Sequence, residues 1–134
     1  MTVFLSHTEA DATWAAKLHS ALVSAGFDVW NPAADLEPGD NWHLEVGKAL
    51  ERSDAMIVLL SPSSVNSPSV VSEIEYALSS SQFRGRLIPV LLKPTQDVPW
   101  ILRRLPLIRA TKDADETAER IAAVLEKSPV AAVA

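Results

Sequence analysis

The residues able to do chemistry are few, and one pair stands out. In the stretch SPSVVSEIEYAL, residues 67–78, Glu73 and Glu75 lie two positions apart inside an otherwise apolar run. At about 100° per residue two such side chains cannot share one face of a helix. Val70, Ile74, Ala77 and Leu78 mark the face expected to pack on a sheet, and Glu75 falls far round from them, in water. Glu73 sits at the margin of the stripe, one turn beyond Ser69 and half-buried by position. In an open parallel sheet, ligands bind in the crevice outside the carboxyl ends of the strands, and a carboxylate reaching it from a helix's first turns is a site candidate. The plainer alternative is a boundary glutamate that pairs with an arginine or caps its own helix.

Other chemistries find no support. The chain has no cysteine, which removes disulfides, thiolate catalysis and zinc–thiolate sites and fits a reducing compartment. His7, His19 and His43 lack metal-ligand spacing, so no metal is expected. None of the four glycines forms the GxGxxG of a dinucleotide fold, and neither a GxxxxGK[ST] phosphate loop nor a GxSxG elbow is present. Ser6-His7-Thr8 follows the first apolar run where a receiver domain would place paired aspartates.

The positioning elements follow from periodicity. TVFLS (2–6), FDVW (27–30), DAMIVLLS (54–61), RLIPVLL (86–92) and PLIRA (106–110) read as strands, the third and fourth buried on both sides and the last a short edge strand. Between them, Trp14, Leu18, Ala21, Leu22 and Ala25 mark a first helix closed by Gly26; Trp42, Val46, Ala49 and Leu50 mark a second over 42–52, capped by Asp40 or Asn41. A third covers 69–82. The last starts at Asp113 with Glu116 as a capping box and carries Ala118, Ile121, Ala122 and Leu125. Residues 31–40 hold two prolines and a glycine and are expected to be a loop. Alternating strands and helices predict an α/β fold, a mostly parallel sheet of five strands with helices on both faces.

Length and charge bound the rest. At 134 residues the chain is one domain, expected over 1–127, with 128–134 a flexible tail or the start of a linker. Hydrophobic residues make up 48% and charged residues 22%, a globular composition. A net charge of −5 with scattered basic residues argues against nucleic-acid binding. No apolar run approaches the roughly 20 residues of a membrane span, so the expectation is a soluble, cytoplasmic protein.

Three stretches in this order resemble the signature boxes of a TIR (Toll/interleukin-1 receptor) domain of bacterial type: FLSHTEAD, then FDVW followed by DLEPGDNW, then SDAMIVLLSPSSVNSPSVVSEIEYAL. Phe4-Leu5-Ser6-His7 matches the family's F-[IL]-S-[HY] strand, and Asp35, Gly39 and Trp42 match the D-x-x-x-G-x-x-[WI] pattern of its BB loop. The resemblance runs from about residue 2 to 125. It implies the flavodoxin-like TIR fold.

It also implies a chemistry. Many TIR domains cleave NAD+ at the nicotinamide–ribose bond with the glutamate of an SxWVxxE signature, which aligns with Glu73; the signature's tryptophan aligns with Ser69. By the same resemblance Ser6, His7, Thr8, Glu9, Glu37 and Ser69, with Asp35 of the loop pattern, are nucleotide-contact candidates, and Trp30, Trp42 or an aromatic from a neighbouring copy is expected to compensate for the missing tryptophan, the alternative being weak activity. NAD+ is the substrate, and no separate cofactor is implied. Water as acceptor gives nicotinamide and ADP-ribose; an intramolecular acceptor gives a cyclic ADP-ribose isomer. The implied setting is bacterial antiphage defence, with a fused or partner sensor domain and activation by self-association into a homo-oligomer or filament, in which one copy's BB loop, with an exposed Leu36, helps form the next copy's pocket. The rival from another class is a non-catalytic adaptor that binds other TIR domains. Glu73 favours the enzyme and Ser69 the adaptor.

Overall fold

The computed structural model describes residues 1–127, apart from the side chains of Ala33 and Ala34; the tail expected over 128–134 lies outside the described residues. Five strands form one parallel sheet: β1 (Thr2–Ser6), β2 (Asp28–Trp30), β3 (Ala55–Leu60), β4 (Leu87–Leu91) and β5 (Ile108–Arg109), in the order β2-β1-β3-β4-β5. The expected topology class is the one observed. Neighbouring registers are regular, with Phe4 opposite both Trp30 and Met56 and Leu91 opposite Arg109. Among the described residues no helix is long and apolar enough to cross a membrane.

Period-two alternation sends each strand's side chains into two cores. Val3, Leu5, Ala55, Ile57, Leu59, Ile88 and Val90 face one way, against α1 (Ala12–Ser24) and α6 (Ala114–Lys127). Phe4, Met56, Val58, Leu60 and Leu87 face the other, against α3 (Trp42–Arg52) and α4 (Pro68–Ser79). Both faces are covered, which is why β3 is buried at all six positions and reads as an unbroken apolar run. Crossovers on alternating faces leave a switch point between β1 and β3, the place where doubly wound sheets bind ligands.

Several local expectations need correction. The segment 31–40 is not all loop: α2 (Pro32–Asp35) occupies its first half, with proline at its first position and the Asp35 carboxylate accepting the Asn31 N–H at 2.8 Å. Leu36 is half-buried against the second core, so it is not the free docking side chain expected. The helix expected over 69–82 ends at Ser79, followed by a 3-10 turn at Ser81–Phe83, and Leu78 is 43% exposed. Asn41, not Asp40, caps α3, accepting from Leu44 at 3.1 Å. At the start of α6 the Asp113 carboxylate accepts from the Asp115 N–H at 2.9 Å, but Glu116 turns to Arg120 and Thr111 and leaves the box half-made. A short helix, α5 (Trp100–Arg103), had no periodic signal because four residues are too few to show one.

Two tryptophans bracket the α2 segment and meet opposite fates. Trp30 is 8% exposed and stacks on Phe4, ring centroids 5.2 Å apart at 19°. Trp42 is 46% exposed. Trp30→Ala is expected to remove about 3–5 kcal/mol of stability, read as a collapse of the chemical-denaturation midpoint.

Candidate functional site

The Ser-Pro-Ser that precedes the glutamate pair builds the start of α4. The Ser67 side chain caps the helix by accepting the Val70 N–H, and Pro68 occupies the first turn, where its missing N–H and fixed φ suit a helix start. From there the phase is set. Val70, Ile74 and Ala77 go into the core, Glu75 goes to solvent, and Glu73 turns to the sheet with 8% of its surface exposed.

Ser6 meets it there. As the last residue of β1 it shares the face of Phe4, is fully buried, and donates its hydroxyl to Glu73 Oε1 at 2.7 Å. Burial pushes the Glu73 carboxyl above the ordinary glutamate range, while the Ser6 hydrogen bond and the charge of His7 pull it part of the way back. Among the described residues no lysine or arginine pairs with it; the ion pairs are Lys48–Glu45 and Arg120–Glu116. The plainer alternative for Glu73, an ion pair or a self-cap, is not what this helix does.

Glu73 opens onto a cleft of about 390 Å³ between α3 and α4. Ser69, Ser72 and Tyr76 line it from α4, and Trp42, His43 and Gly47 from α3. Trp42 also walls a second cleft of about 340 Å³, shared with His7, Glu9 and Pro32. The His7 ring lies between two oxygens, Nδ1 at 2.8 Å from the Thr8 carbonyl and Nε2 at 2.9 Å from Asn31 Oδ1. An imidazolium satisfies both, and a neutral ring does so if the Asn31 amide is turned to donate.

The structure thus brings Glu73, Ser69 and Trp42 to the lining of one cleft, with Ser6 buried behind Glu73 and bonded to it, and His7 and Glu9 to the lining of the next. It does not bring the other four candidates to either lining. Thr8 donates to Asp11 at 3.0 Å, Asp35 holds the Asn31 N–H, and Glu37 is exposed with its N–H on the Asp40 carboxylate at 2.7 Å. Trp30 is a core residue. Sequence reasoning missed His43, Gly47, Ser72 and Tyr76. Gly47 left a signal, being a glycine inside a helical pattern with open space where its Cβ would be. Asp11 was missed as well: it is buried and accepts from both Thr8 and Ser61, the latter at 2.6 Å, tying the ends of β1 and β3 together below the clefts.

The sequence model of the TIR-domain family matches residues 3–127. The chain belongs to the TIR-domain family. A search among curated proteins gives no match. Among solved structures, the TIR domain of the Toll-related receptor TRR-2 from Hydra magnipapillata aligns at 21% identity and TM-score 0.74, over 94% of this chain and 95% of that one. A metazoan TIR-STING receptor from C. gigas aligns at 29% identity and TM-score 0.76, over 91% of this chain but only 38% of the receptor. BcmB, a CMP N-glycosidase from Clostridium botulinum, aligns at 17% identity and TM-score 0.55, over 92% and 98%. The first and third likenesses speak to the TIR fold alone.

A carboxyl with a raised pKa binds its proton more tightly in the folded than in the unfolded chain, so this TIR domain gains stability as pH falls from the folded toward the unfolded value. At neutral pH the ionised group is a net cost. Glu73→Gln is therefore expected to raise Tm at pH 7 by a few degrees, with the gap to wild type closing as pH falls to the ordinary glutamate range; thermal melts across pH check it.

Proposed function

We propose that this TIR domain is an NAD+ glycohydrolase in which Glu73 is the catalytic carboxylate. The observation that carries the reading is a single acidic group, desolvated and held by one hydroxyl, facing a cleft and free of any cationic partner among the described residues.

The chemistry needs no more than that. A sugar–oxygen bond requires a general acid because its leaving group is an alkoxide, and glycosidases accordingly carry two carboxylates. In NAD+ the ribose C1′ is bonded to a pyridinium nitrogen. When that bond breaks, its electron pair goes to the ring, nicotinamide leaves neutral, and no proton has to be supplied. Positive charge builds at C1′. A carboxylate fixed beside it stabilises that charge and orients the ribose hydroxyls, and it does so strongly where water is excluded. Water then adds to C1′ and loses one proton, giving ADP-ribose; a nucleophile within the same molecule gives a cyclic isomer by the same route. Trp42, exposed between the two clefts, offers an aromatic face for a base in place of the tryptophan that the family carries at the position of Ser69. Cleavage of an N-glycosidic bond also appears in the name of one protein of similar fold, BcmB.

Glu73→Ala and Glu73→Gln are expected to lower nicotinamide release by on the order of 10²–10³-fold or more, followed by chromatography at high protein concentration. Equal release by wild type and both variants would remove Glu73 from the mechanism, and no release by wild type under any associating condition would favour the adaptor.

The active form is the carboxylate, so the rate is expected to fall as pH drops through the raised Glu73 pKa, with an acidic limb above the ordinary glutamate range. Ser6→Ala removes the hydrogen bond that favours the ionised form, so its acidic limb is expected to move further up in pH; a pH–rate profile unchanged from wild type would separate Ser6 from Glu73 function.

A further inference from the structure

Gly47 is the central residue of α3. A glycine there weakens a helix relative to alanine, because its backbone loses more freedom on ordering. Two needs ordinarily outweigh that cost: a left-handed backbone, or a neighbour too close for a Cβ. Neither operates here. Gly26, Gly39 and Gly85 have φ of 98°, 93° and 75°, whereas helical Gly47 has no positive φ. A Cβ at Gly47 would meet no heavy atom within 4 Å outside its own stretch of helix. The open space is the Glu73 cleft, which Gly47 lines.

The two walls of that cleft differ in chemistry. Beyond its exposed first turn, α3 lines the cleft with Val46, Gly47 and Leu50, none of which has a polar side-chain atom. From Ser69 onward α4 lines it with Ser69, Ser72, Glu73 and Tyr76, each bearing a side-chain oxygen. In the proposed reaction C1′ lies at the Glu73 carboxylate and joins two groups of opposite character. One is a ribose with hydroxyls, which suits the oxygen-bearing wall. The other is a flat pyridine ring, which suits the apolar one. A flat ring lies closest to a helix where no side chain stands between them, and on this wall only Gly47 meets that condition.

We infer that Gly47 determines specificity for the leaving base: the pyridine ring lies on the bare backbone of α3 at Gly47, in space that a side chain would fill. The inference rests on the NAD+ reading of the cleft and adds where the leaving ring goes. A side chain at position 47 takes clearance from the ring and leaves the Ser6–Glu73 hydrogen bond untouched, so it acts on binding and not on charge stabilisation at C1′. The ring departs as neutral nicotinamide, and the same surface therefore binds the product. The helix gives up stability for the sake of the ligand, a trade between folding and activity. A glycine held for its backbone has the opposite sign, since replacing it destabilises the fold.

The test uses the whole chain with Gly47→Ala and Gly47→Leu and three readouts: thermal melts without ligand, KM and kcat for nicotinamide release from NAD+, and inhibition by added nicotinamide. Gly47→Ala is expected to raise Tm by a few degrees. It is also expected to raise KM and the nicotinamide inhibition constant together, by about tenfold, with kcat held within about twofold. Gly47→Leu is expected to lose more on both. Constants unchanged across the series, a KM that rises while the nicotinamide constant stays put, or Gly47→Ala melting below wild type would each overturn the inference. Binding without turnover is read by titrating nicotinamide and NAD+ into Glu73→Gln, with and without Gly47→Leu, and following the amide NMR spectrum. If wild type never releases nicotinamide yet Glu73→Gln binds it and Gly47→Leu abolishes that binding, the ring's placement stands and the catalytic reading falls. Turnover by wild type with a series indifferent to position 47 gives the reverse, and neither turnover nor binding removes both.

Discussion

The 2.7 Å hydrogen bond from Ser6 to Glu73 joins the end of a central strand to a helix packed on the sheet. A carboxylate moved out of water loses far more solvation than one neutral hydroxyl returns, so the group remains short of donors. Oε1 accepts from Ser6, and among the described residues no second donor reaches the carboxylate. Its remaining acceptor capacity is aimed at the cleft. An acid in this condition is held ready to stabilise positive charge or to take ribose hydroxyls, and the cost of holding it there falls on the folded state.

That arrangement depends on packing elsewhere. Val70, Ile74 and Ala77 lock the phase of α4 on the sheet, and a rotation of one residue would carry Glu73 to the exposed place of Ser72 and put Ile74 where Glu73 stands. On the facing side, the stacked pair Phe4–Trp30 anchors the end of β2, so the chain leaves the sheet at a fixed point before α2 turns it toward α3. Asn41 then starts α3 where Trp42 must stand between the two clefts. Asp11, clamped by Thr8 and Ser61, ties the ends of β1 and β3 beneath the same region.

Much of this was legible in the sequence because burial writes itself into periodicity. Continuous apolar runs at β3 and β4 gave strands covered on both faces, and the i, i+3, i+4 stripe of residues 70–77 correctly separated Glu73 from Glu75. Alternation along β1 also put Ser6 on the face of Phe4, although its bond to Glu73 spans 67 positions and has no local trace. What periodicity could not reach is what depends on cross-fold contact. Trp30 and Trp42 look equivalent in composition, and only the presence of Phe4 beside one of them decides which is core. Leu36 read as exposed because it follows a proline-bearing segment, yet the short turn of α2 folds it back onto the core. Tyr76 and Ser72 of the cleft carry no signal that distinguishes them from other boundary residues of a helix.

The proposed cleavage places two demands on the cleft, and its lining meets them unequally. A site for a cleavage with a neutral leaving group has no use for a proton donor, and the lining residues of this cleft accordingly pair Glu73 with hydroxyls and aromatic rings. For the proposed substrate the same site would also hold phosphates, and there the lining offers only the imidazoles of His43 and His7, with Asp35, Glu37, Asp40 and Glu45 in the segment from β2 into α3. Lys93, Arg103, Arg104, Arg109 and Lys112 fall instead between the end of β4 and the start of α6, around β5 at the far edge of the sheet. Among the described residues no lysine or arginine neutralises the desolvated carboxylate, and an ion pair there would lower its value as a charge stabiliser.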